Sequence, residues 1–356
     1  MLKKAAALFL VCASMALWVG CVKTSSRYVY AALPTSNQIV AYREDPNSGV
    51  LTTLNLSPYP AGSAVESVVV HPSGKFLYAA NSGAADNDIS LFTLSGGIPT
   101  EVTPRTPTGS APTLLVMDSA GSSLYVASIG TNSVSVFSIN ASTGALTATG
   151  SAIPIGTTPL NMKLSPSGIL YVSGSTGNGA TAQGVVEVWN VATSQLIQVA
   201  QTGGVTPQGL AMDPGGKFLY TANFGSNTIS EFSIGSDGSL TALSSSPLGE
   251  TYFGPLGLLV DNSGKYLYVA NKTTGNIAAY SIGSDGSLTL LTNSPFATGS
   301  SPSFIASDPS GKYIFVGTQA TSSQIQSFSL DSGSGTLTSV ATYTVGTALS
   351  SIAVSP

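Results

Sequence analysis

Glu66 and Lys163 are the charged residues whose surroundings best suit chemistry on a carbonyl compound. A carboxylate can take a proton from an attacking water, and a lysine can donate a hydrogen bond to the oxyanion that forms. Both residues lie in short runs of apolar and β-branched residues that are typical of strands. They are the two candidates for catalysis, although the sequence does not identify a complete catalytic set.

Other chemistries find less support in the chain. His71 is the only histidine, and no Gly-x-Ser-x-Gly turn is present, so a catalytic triad is not indicated. Asp86, Asn87 and Asp88 offer three oxygen ligands to calcium, but the remaining spacing of a calcium loop is missing, and a solvated turn is the favoured interpretation. We predict neither a metal nor a cofactor.

Composition excludes one class of partner and indicates a polar, weakly charged surface. Charged residues make up 8% of the chain, with twelve basic against sixteen acidic residues. This balance lacks the basic footprint of a protein that binds nucleic acid. The sequence therefore predicts no nucleic-acid partner, and we expect a monomer.

The first twenty residues are expected to form an export signal, because Lys3 and Lys4 precede a short apolar run that ends near Cys21. The pattern resembles a lipoprotein signal, which implies lipidation of Cys21 and a short tether over residues 21–26. Trp18 occupies the place where leucine is usual, so cleavage after Ala16 and an uncleaved anchor remain alternatives. Lipidation would place the protein in the cell envelope, at the outer membrane facing the periplasm or the exterior; the alternative is secretion.

Residues 27–356 contain one phrase repeated at a nearly constant interval, a Pro-Ser-Gly-Lys turn followed by an aromatic strand. The turn glycines lie 47 or 48 residues apart at Gly74, Gly121, Gly168, Gly216, Gly264 and Gly311. Each unit reads as four short strands, a, b, c and d, separated by Gly, Asn, Ser and Asp turns. Four antiparallel strands at this period predict an all-β fold, a seven-bladed β-propeller.

Strand counting also predicts how the ring closes. The first a strand begins at Val65, whereas the last, at residues 351–354, follows all the others, so it should pair with the opening b strand at Tyr28. One aromatic residue recurs in every c strand and is expected to form the core between blades: Tyr42, Phe92, Phe137, Trp189, Phe232, Tyr280 and Phe328.

The repeated Pro-Ser-Gly-Lys-Tyr/Phe-Leu-Tyr-Val-Ala-Asn phrase resembles the lactonase and YVTN-type propeller family, which includes 6-phosphogluconolactonase. The resemblance implies reacting groups where strand a begins at the mouth of the central channel. The histidine and arginine residues that the family's enzymes use are absent from these positions here, as at Glu66-Ser67 and Gln208-Gly209. His71 falls instead in the column of turn-capping residues.

Residues that break the seven-fold pattern are the predicted ligand contacts, since the fold does not need them. They lie near the loops that join strand d to a and strand b to c: Glu66, Asn161, Lys163, Gln208, Phe224, Tyr252, Phe253 and Phe304. Tyr252 and Phe253 could stack on a sugar or only cover the rim, and Lys163 could pair with Glu187, meet an anionic ligand or reach solvent. The sequence favours a scaffold that binds a carbohydrate, peptide or protein, with a lactone hydrolase as the alternative.

Overall fold

The computed structural model describes residues 26–177 and 182–356 and consists almost entirely of β-strands. Its one short helical turn is a 3₁₀ turn, η1, at Pro34–Ser36. Within the described residues no helix has the length and apolar character needed to cross a membrane. The expected export signal and Cys21 lie outside the described residues.

Seven antiparallel sheets of four main strands form the blades, as the repeat predicts. Numbered in chain order and given from strand a to strand d, blade 1 contains β32 (Ser351–Val354), β1 (Arg27–Leu33), β2 (Gln38–Glu44) and β3 (Leu51–Thr53), with β4 (Tyr59–Pro60) also paired to β2. Blade 2 contains β5 (Val65–Val70), β6 (Phe76–Asn81), β7 (Asp88–Ser95) and β8 (Ile98–Pro107). Blade 3 contains β9 (Pro112–Met117), β10 (Ser123–Ser128), β11 (Ser133–Ile139) and β12 (Leu146–Ala148), with the short β13 (Ile153–Pro154). Blade 4 contains β14 (Asn161–Leu164), β15 (Ile169–Thr176), β16 (Gln183–Asn190) and β17 (Gln195–Gln201). Blade 5 contains β18 (Pro207–Met212), β19 (Phe218–Asn223), β20 (Thr228–Ile234) and β21 (Leu240–Ala242), with the short β22 (Leu248–Gly249). Blade 6 contains β23 (Pro255–Val260), β24 (Tyr266–Asn271), β25 (Asn276–Ile282) and β26 (Leu288–Leu290), with the short β27 (Phe296–Ala297). Blade 7 contains β28 (Pro302–Ser307), β29 (Tyr313–Thr318), β30 (Ser323–Asp331) and β31 (Thr336–Gly346).

The a strands face one another around a central axis. Each contacts the a strand of the next blade, in the order β5, β9, β14, β18, β23, β28 and β32, and β32 returns to β5. The seven-bladed ring predicted from the sequence is therefore confirmed, with strand a innermost and strand d on the outer edge.

Blade 1 is assembled from two distant parts of the chain, as predicted. Strand β32 pairs antiparallel with β1, with Val29 opposite Val354 and Ala32 opposite Ser351. Beyond the strands, the Tyr28 amide donates to Ser355 Oγ at 2.9 Å. The pairing covers an edge of β1 that would otherwise expose unpaired backbone groups.

The hydrophobic core is divided into seven clusters, and each cluster joins two neighbouring blades. Every member of the strand-c aromatic column is buried, as predicted. Burial of rings of this size contributes a few kcal/mol each, on the order of 2–3 kcal/mol. The column therefore supplies adhesion between blades and is not available to a ligand.

A hydroxyl group adds a second contact between blades. Five fully buried tyrosines at the same position of strand b each donate to the carbonyl of a turn glycine in the next blade: Tyr30 to Gly97, Tyr78 to Gly144, Tyr171 to Gly238, Tyr220 to Gly286 and Tyr268 to Gly335. Burial raises the pKa of Tyr171 to about 12. In blade 7 the equivalent residue is Phe315, so the contact from blade 7 to blade 1 has no hydroxyl.

Three outer strands are interrupted in the same way. Between the two segments that pair with strand c, a serine hydroxyl accepts the strand-c amide that has lost its ladder partner, as Ser57 does for the amide of Ala41 at 2.9 Å. Ser246 and Ser294 repeat the arrangement in blades 5 and 6. Such a break leaves no long open edge on these blades.

Candidate functional site

The a strands bring the irregular positions of the repeat to the axis of the ring. Each a strand begins after the loop from strand d, and four of the seven start with proline, which cannot donate to a sheet ladder and suits the first residue of a strand. In blade 4 the corresponding Pro159 lies two residues before the strand. The residues that follow line the channel at the end formed by the d-to-a and b-to-c loops. This end is called the channel mouth below.

A cavity of about 550 Å³ occupies the channel mouth. This volume lies within the range of small-molecule sites, roughly 300–1,000 Å³. Positions are counted from the proline column, which holds Val65 in blade 2 and Leu349 in blade 1. The first position after it contributes from every blade and forms the mouth ring: Ser350, Glu66, Thr113, Leu160, Gln208, Leu256 and Ser303. The third position also contributes from every blade and forms the apolar ring: Ile352, Val68, Leu115, Met162, Leu210, Leu258 and Ile305.

Glu66 lies in the mouth ring, at the start of β5, and is half-buried. Its Oε1 accepts a hydrogen bond from Ser82 Oγ at 3.5 Å, a long contact. Burial raises the pKa of the Glu66 carboxyl above its ordinary value, and the Ser82 contact opposes part of this change. A carboxylate with a raised pKa is a stronger base, which suits it to accept a proton from a ligand or a water.

Lys163 lies one position beyond the apolar ring, in β14. With a rise of about 3.3 Å per residue, it is roughly 10 Å deeper than the mouth ring. Its side chain is exposed and opens into the cavity at the centre of the ring of a strands. Loss of bulk water around the amine lowers the pKa of Lys163.

Lys163 does not pair with Glu187, one of the three possibilities that the sequence left open. Glu187 is buried, and its carboxylate accepts from the Gly156 amide at 3.1 Å, from Thr157 Oγ1 at 3.0 Å and from Trp189 Nε1 at 3.2 Å. The ion pairs formed within residues 26–177 and 182–356 do not include Lys163. The lysine therefore faces the cavity without a counter-charge from the described residues.

Asn161 and Gln208 also line the cavity, in adjacent blades. Asn161 Nδ2 donates to the Gln208 carbonyl at 2.8 Å, and Asn161 Oδ1 accepts from the Met162 amide at 2.8 Å. Asn161 therefore joins blades 4 and 5 and keeps only part of its hydrogen-bonding capacity for a ligand. The Gln208 side chain forms no hydrogen bond with another described residue, so its amide can face the cavity.

The predicted aromatic contacts separate into two groups. Phe304 lines the cavity and is half-buried. Phe224, Tyr252 and Phe253 belong to loops on the same face but are not among the residues that line the cavity. Tyr252 packs against the core between blades 5 and 6, whereas the side chain of Phe253 is 54% exposed. Contact of these three residues with a ligand stays a prediction.

Sequence reasoning missed part of the cavity wall. The apolar ring was not singled out because its residues are apolar in every copy, as core residues are. Ile129 and Gln319 line the mouth from b-to-c loops, and Lys272 Nζ donates to Gln319 Oε1 at 2.6 Å. These residues follow directly after strand b, and the variability of that column is the signal that could have identified them.

His71 lies far along the strand from the mouth, in the turn after β5. Its Nδ1 accepts from the Ser73 amide at 3.0 Å, which makes Nε2 the donor to the Gly121 carbonyl at 2.9 Å. The histidine therefore caps its own turn and contacts the next blade. Both ring nitrogens are used by the fold.

The Asp86 carboxylate is also occupied by protein groups. It accepts from the Ser63 amide and hydroxyl and lies 3.4 Å from Arg105 Nη1. These contacts lower the pKa of Asp86. Over the described residues no group of three or more His, Cys, Asp or Glu side chains is arranged to hold a metal ion.

Solved structures similar to this chain share its fold. A putative 6-phosphogluconolactonase from Bacteroides fragilis is 21% identical, with 94% of this chain and 99% of that chain covered and a TM-score of 0.75. The periplasmic gluconolactonase of Pseudomonas aeruginosa is 19% identical, with 93% and 99% covered and a TM-score of 0.76. A protein from Lactobacillus plantarum is 21% identical, with 93% and 99% covered and a TM-score of 0.75.

At these identities the similarity establishes the architecture and not the activity. No curated protein matches the chain. The model of the family described as "Lactonase, 7-bladed beta-propeller" matches residues 56–161, 156–257 and 254–353, which together span most of the chain. Together with the seven blades, this match means that the chain belongs to the lactonase family of seven-bladed β-propellers.

Proposed function

We propose that the protein is an exported binding propeller that holds a small polyhydroxylated ligand, such as a sugar or a sugar lactone, at the channel mouth. The observation that carries the proposal is the convergence of Glu66, Asn161, Gln208 and Phe304 on one cavity of about 550 Å³. A cavity of this size suits a small molecule better than a folded protein partner, which needs a broad surface.

The chemistry of the mouth ring supports a sugar-like ligand. Serine and threonine hydroxyls, the Gln208 amide and the Glu66 carboxylate supply donors and acceptors, whereas Leu160, Leu256 and Phe304 supply apolar surface. A sugar ring has the matching properties, with hydroxyl groups at its edge and an apolar face. Among the described residues, Lys163 is the only cation that lines the cavity. This is weak recognition for a phosphate group, since phosphate sites usually combine several cationic donors.

Ligand binding can be measured by thermal shift and calorimetry with D-glucono-1,5-lactone, gluconate and glucose. A ligand that binds only the folded state raises the melting temperature as its concentration rises. We expect this shift to be lost in Gln208→Ala and Glu66→Gln and retained in Phe253→Ala, which alters the same face outside the cavity. Equal loss in all three variants, or no shift with any sugar or lactone, would contradict the proposal.

Lactone hydrolysis is the second candidate, favoured by Glu66 and Lys163 opening into the same cavity. Glu66 would take a proton from a water that attacks the lactone carbonyl, and the Lys163 amine would donate to the oxyanion before the ring C–O bond breaks. The names of the Bacteroides fragilis and Pseudomonas aeruginosa proteins give this reaction a precedent in the fold. Hydrolysis should fall about 100-fold or more in Glu66→Gln. If the wild type hydrolyses no lactone of a panel faster than the spontaneous rate, the hydrolase candidate is excluded and only the binding function stands.

Export and lipid anchoring through Cys21 are part of the same proposal and need a separate experiment. Cells that produce the full chain would be labelled with a palmitate analogue and fractionated. Label in the membrane fraction, lost in Cys21→Ser, is the expected result. An unlabelled protein in the medium would indicate secretion.

A further inference from the structure

Lys163 occupies a position where the fold has no use for a charge. The same column in the other blades holds small or apolar residues: Val69, Val116, Ala211, Leu259, Ala306 and Ala353. A long cationic side chain at this position adds nothing to the strand pairing, in which Lys163 lies opposite Tyr171. We therefore look for the role of Lys163 in the cavity that it lines.

The Lys163 amine opens into the cavity without a counter-charge from the described residues. The apolar ring lies between it and the mouth, and no acidic side chain among the described residues comes within 4.0 Å of it. Enclosure in the channel lowers the pKa of Lys163, so a larger share of the amine is uncharged at neutral pH than for an ordinary lysine. An uncharged amine is a nucleophile, and desolvation in an apolar site is one of the ways by which proteins activate lysine.

We propose that Lys163 is a carbonyl-reactive amine, which condenses with a small aldehyde or ketone that reaches it through the channel mouth. The nitrogen lone pair attacks the carbonyl carbon and forms a carbinolamine. The carbonyl oxygen then leaves as water with the two hydrogens of the amine, and a carbon–nitrogen double bond remains. The step needs no oxidant or reductant, and addition of water reverses it.

The position of Lys163 limits which carbonyl compounds can react. A ligand must place its carbonyl group roughly 10 Å below the mouth ring, past the apolar ring. Short, uncharged aldehydes and ketones meet this condition, whereas a phosphorylated compound would have to bring its charge to an apolar surface. The open-chain form of a small sugar belongs to the favoured class.

Reductive trapping tests the proposal on the full chain. The protein is treated briefly with glycolaldehyde and sodium cyanoborohydride at neutral pH, and the modified lysines are identified by mass spectrometry of peptides. We expect the reduced adduct on Lys163 before it appears on Lys272, which lies at the rim and is bonded to Gln319. Modification of Lys163 no faster than that of Lys272 would overturn the proposal.

Two variants separate reactivity from accessibility. Lys163→Arg keeps a cationic side chain that cannot form the adduct, so the early adduct should be lost while the melting temperature stays near that of the wild type. Leu256→Trp narrows the mouth ring but leaves Lys163 in place, and it should slow trapping at Lys163 without slowing it at Lys272. Unchanged trapping in Leu256→Trp would mean that the reagent does not arrive through the mouth, which contradicts the proposal.

This inference can fail independently of the proposed function. If Lys163→Arg still binds a sugar or lactone but the wild type forms no adduct, the binding site stands and the reactive amine does not. If an adduct forms at Lys163 and no sugar or lactone binds, the reactive amine stands and the proposed binding site does not.

Discussion

The hydroxyl of Tyr220 donates a hydrogen bond of 2.8 Å to the carbonyl oxygen of Gly286, which lies in the next blade. The same glycine approaches the ring of Phe218 so closely that a Cβ atom would come 2.3 Å from Phe218 Cδ1. Blade 5 therefore contacts the turn of blade 6 in two ways: the Phe218 ring packs against Gly286, and the Tyr220 hydroxyl binds the Gly286 carbonyl.

Removal of the Tyr220 hydroxyl should lower the stability of the protein. Tyr220→Phe leaves a buried carbonyl without its donor, and we expect the free energy of unfolding to fall by about 1–2 kcal/mol in urea denaturation. Tyr252→Phe is the matched control, because the Tyr252 hydroxyl is bonded to no described residue and its loss should change stability little. Equal effects of the two variants would mean that the bond between blades adds no stability.

A methyl group added at Gly286 should lower the stability by more than backbone strain alone would. Gly286 has φ +88°, and Gly286→Ala combines an unfavourable backbone conformation with a clash against Phe218. Gly96 has φ +55°, and no atom lies within 4 Å of the place that a Cβ would take there, so Gly96→Ala measures backbone strain only, about 1 kcal/mol. We expect Gly286→Ala to cost about 1–3 kcal/mol more than Gly96→Ala. Similar values for the two variants would exclude the steric part of the explanation.

Stability should decrease as pH rises through neutrality. Burial raises the pKa of Glu250 from 4.5 to about 7, although the Tyr280 hydroxyl donates to its Oε2 at 2.7 Å. A folded-state pKa above the unfolded value gives a contribution that is fully present below pH 4.5 and is lost as pH rises through 7. Burial likewise raises the pKa of Glu44 to about 7.

Denaturation of Glu250→Gln at pH 5.5 and pH 8.5 checks this effect. The glutamine oxygen can still accept from Tyr280, so the variant should lose less stability than the wild type over this range, by on the order of 1–3 kcal/mol. Asp285→Asn is the control. Hydrogen bonds from Ser287 lower the pKa of Asp285 in the wild type, so its loss should leave the change in stability between the two pH values as in the wild type. A wild-type stability that is flat between the two pH values would refute the prediction.

Closure of the ring should depend on β32. Deletion of residues 349–356 removes this strand and the fully buried Leu349, and it uncovers the paired edge of β1. We expect a clear fall in melting temperature and self-association in size-exclusion chromatography, because an open strand edge pairs with other chains. Deletion of the exposed Pro356 alone is the control; a full deletion that melts with the control would contradict this role.

The fold could be predicted from the sequence because each blade repeats the same turn chemistry. Asp261 illustrates the reason: its carboxylate accepts the amides of Ser263, Lys265 and Tyr266, so the turn needs an acceptor at that position and glycine at Gly264. The interrupted outer strands were missed, although the Ser-Pro pairs at Ser57, Ser246 and Ser294 mark them in the sequence. A serine that replaces a ladder partner is not visible from strand periodicity.

The candidate site was predicted only in part. Glu66, Lys163, Asn161, Gln208 and Phe304 line the cavity because their columns belong to strand a, and strand order alone brings strand a to the axis. Loop residues carry no such information about distance from the axis, which is why the three aromatic residues of the outer loops fall outside the cavity wall. The apolar ring escaped notice because a residue that lines a channel and a residue that fills a core have the same composition.

The apolar ring limits which compounds can pass along the axis of the propeller. Ions and phosphorylated compounds would have to shed water beside these hydrocarbon side chains, so their passage along the axis is unfavourable. A charged ligand that enters at the mouth must therefore leave by the same opening. A ligand held at the mouth therefore blocks the entry of a second one, and any two ligands of the mouth should compete for one place.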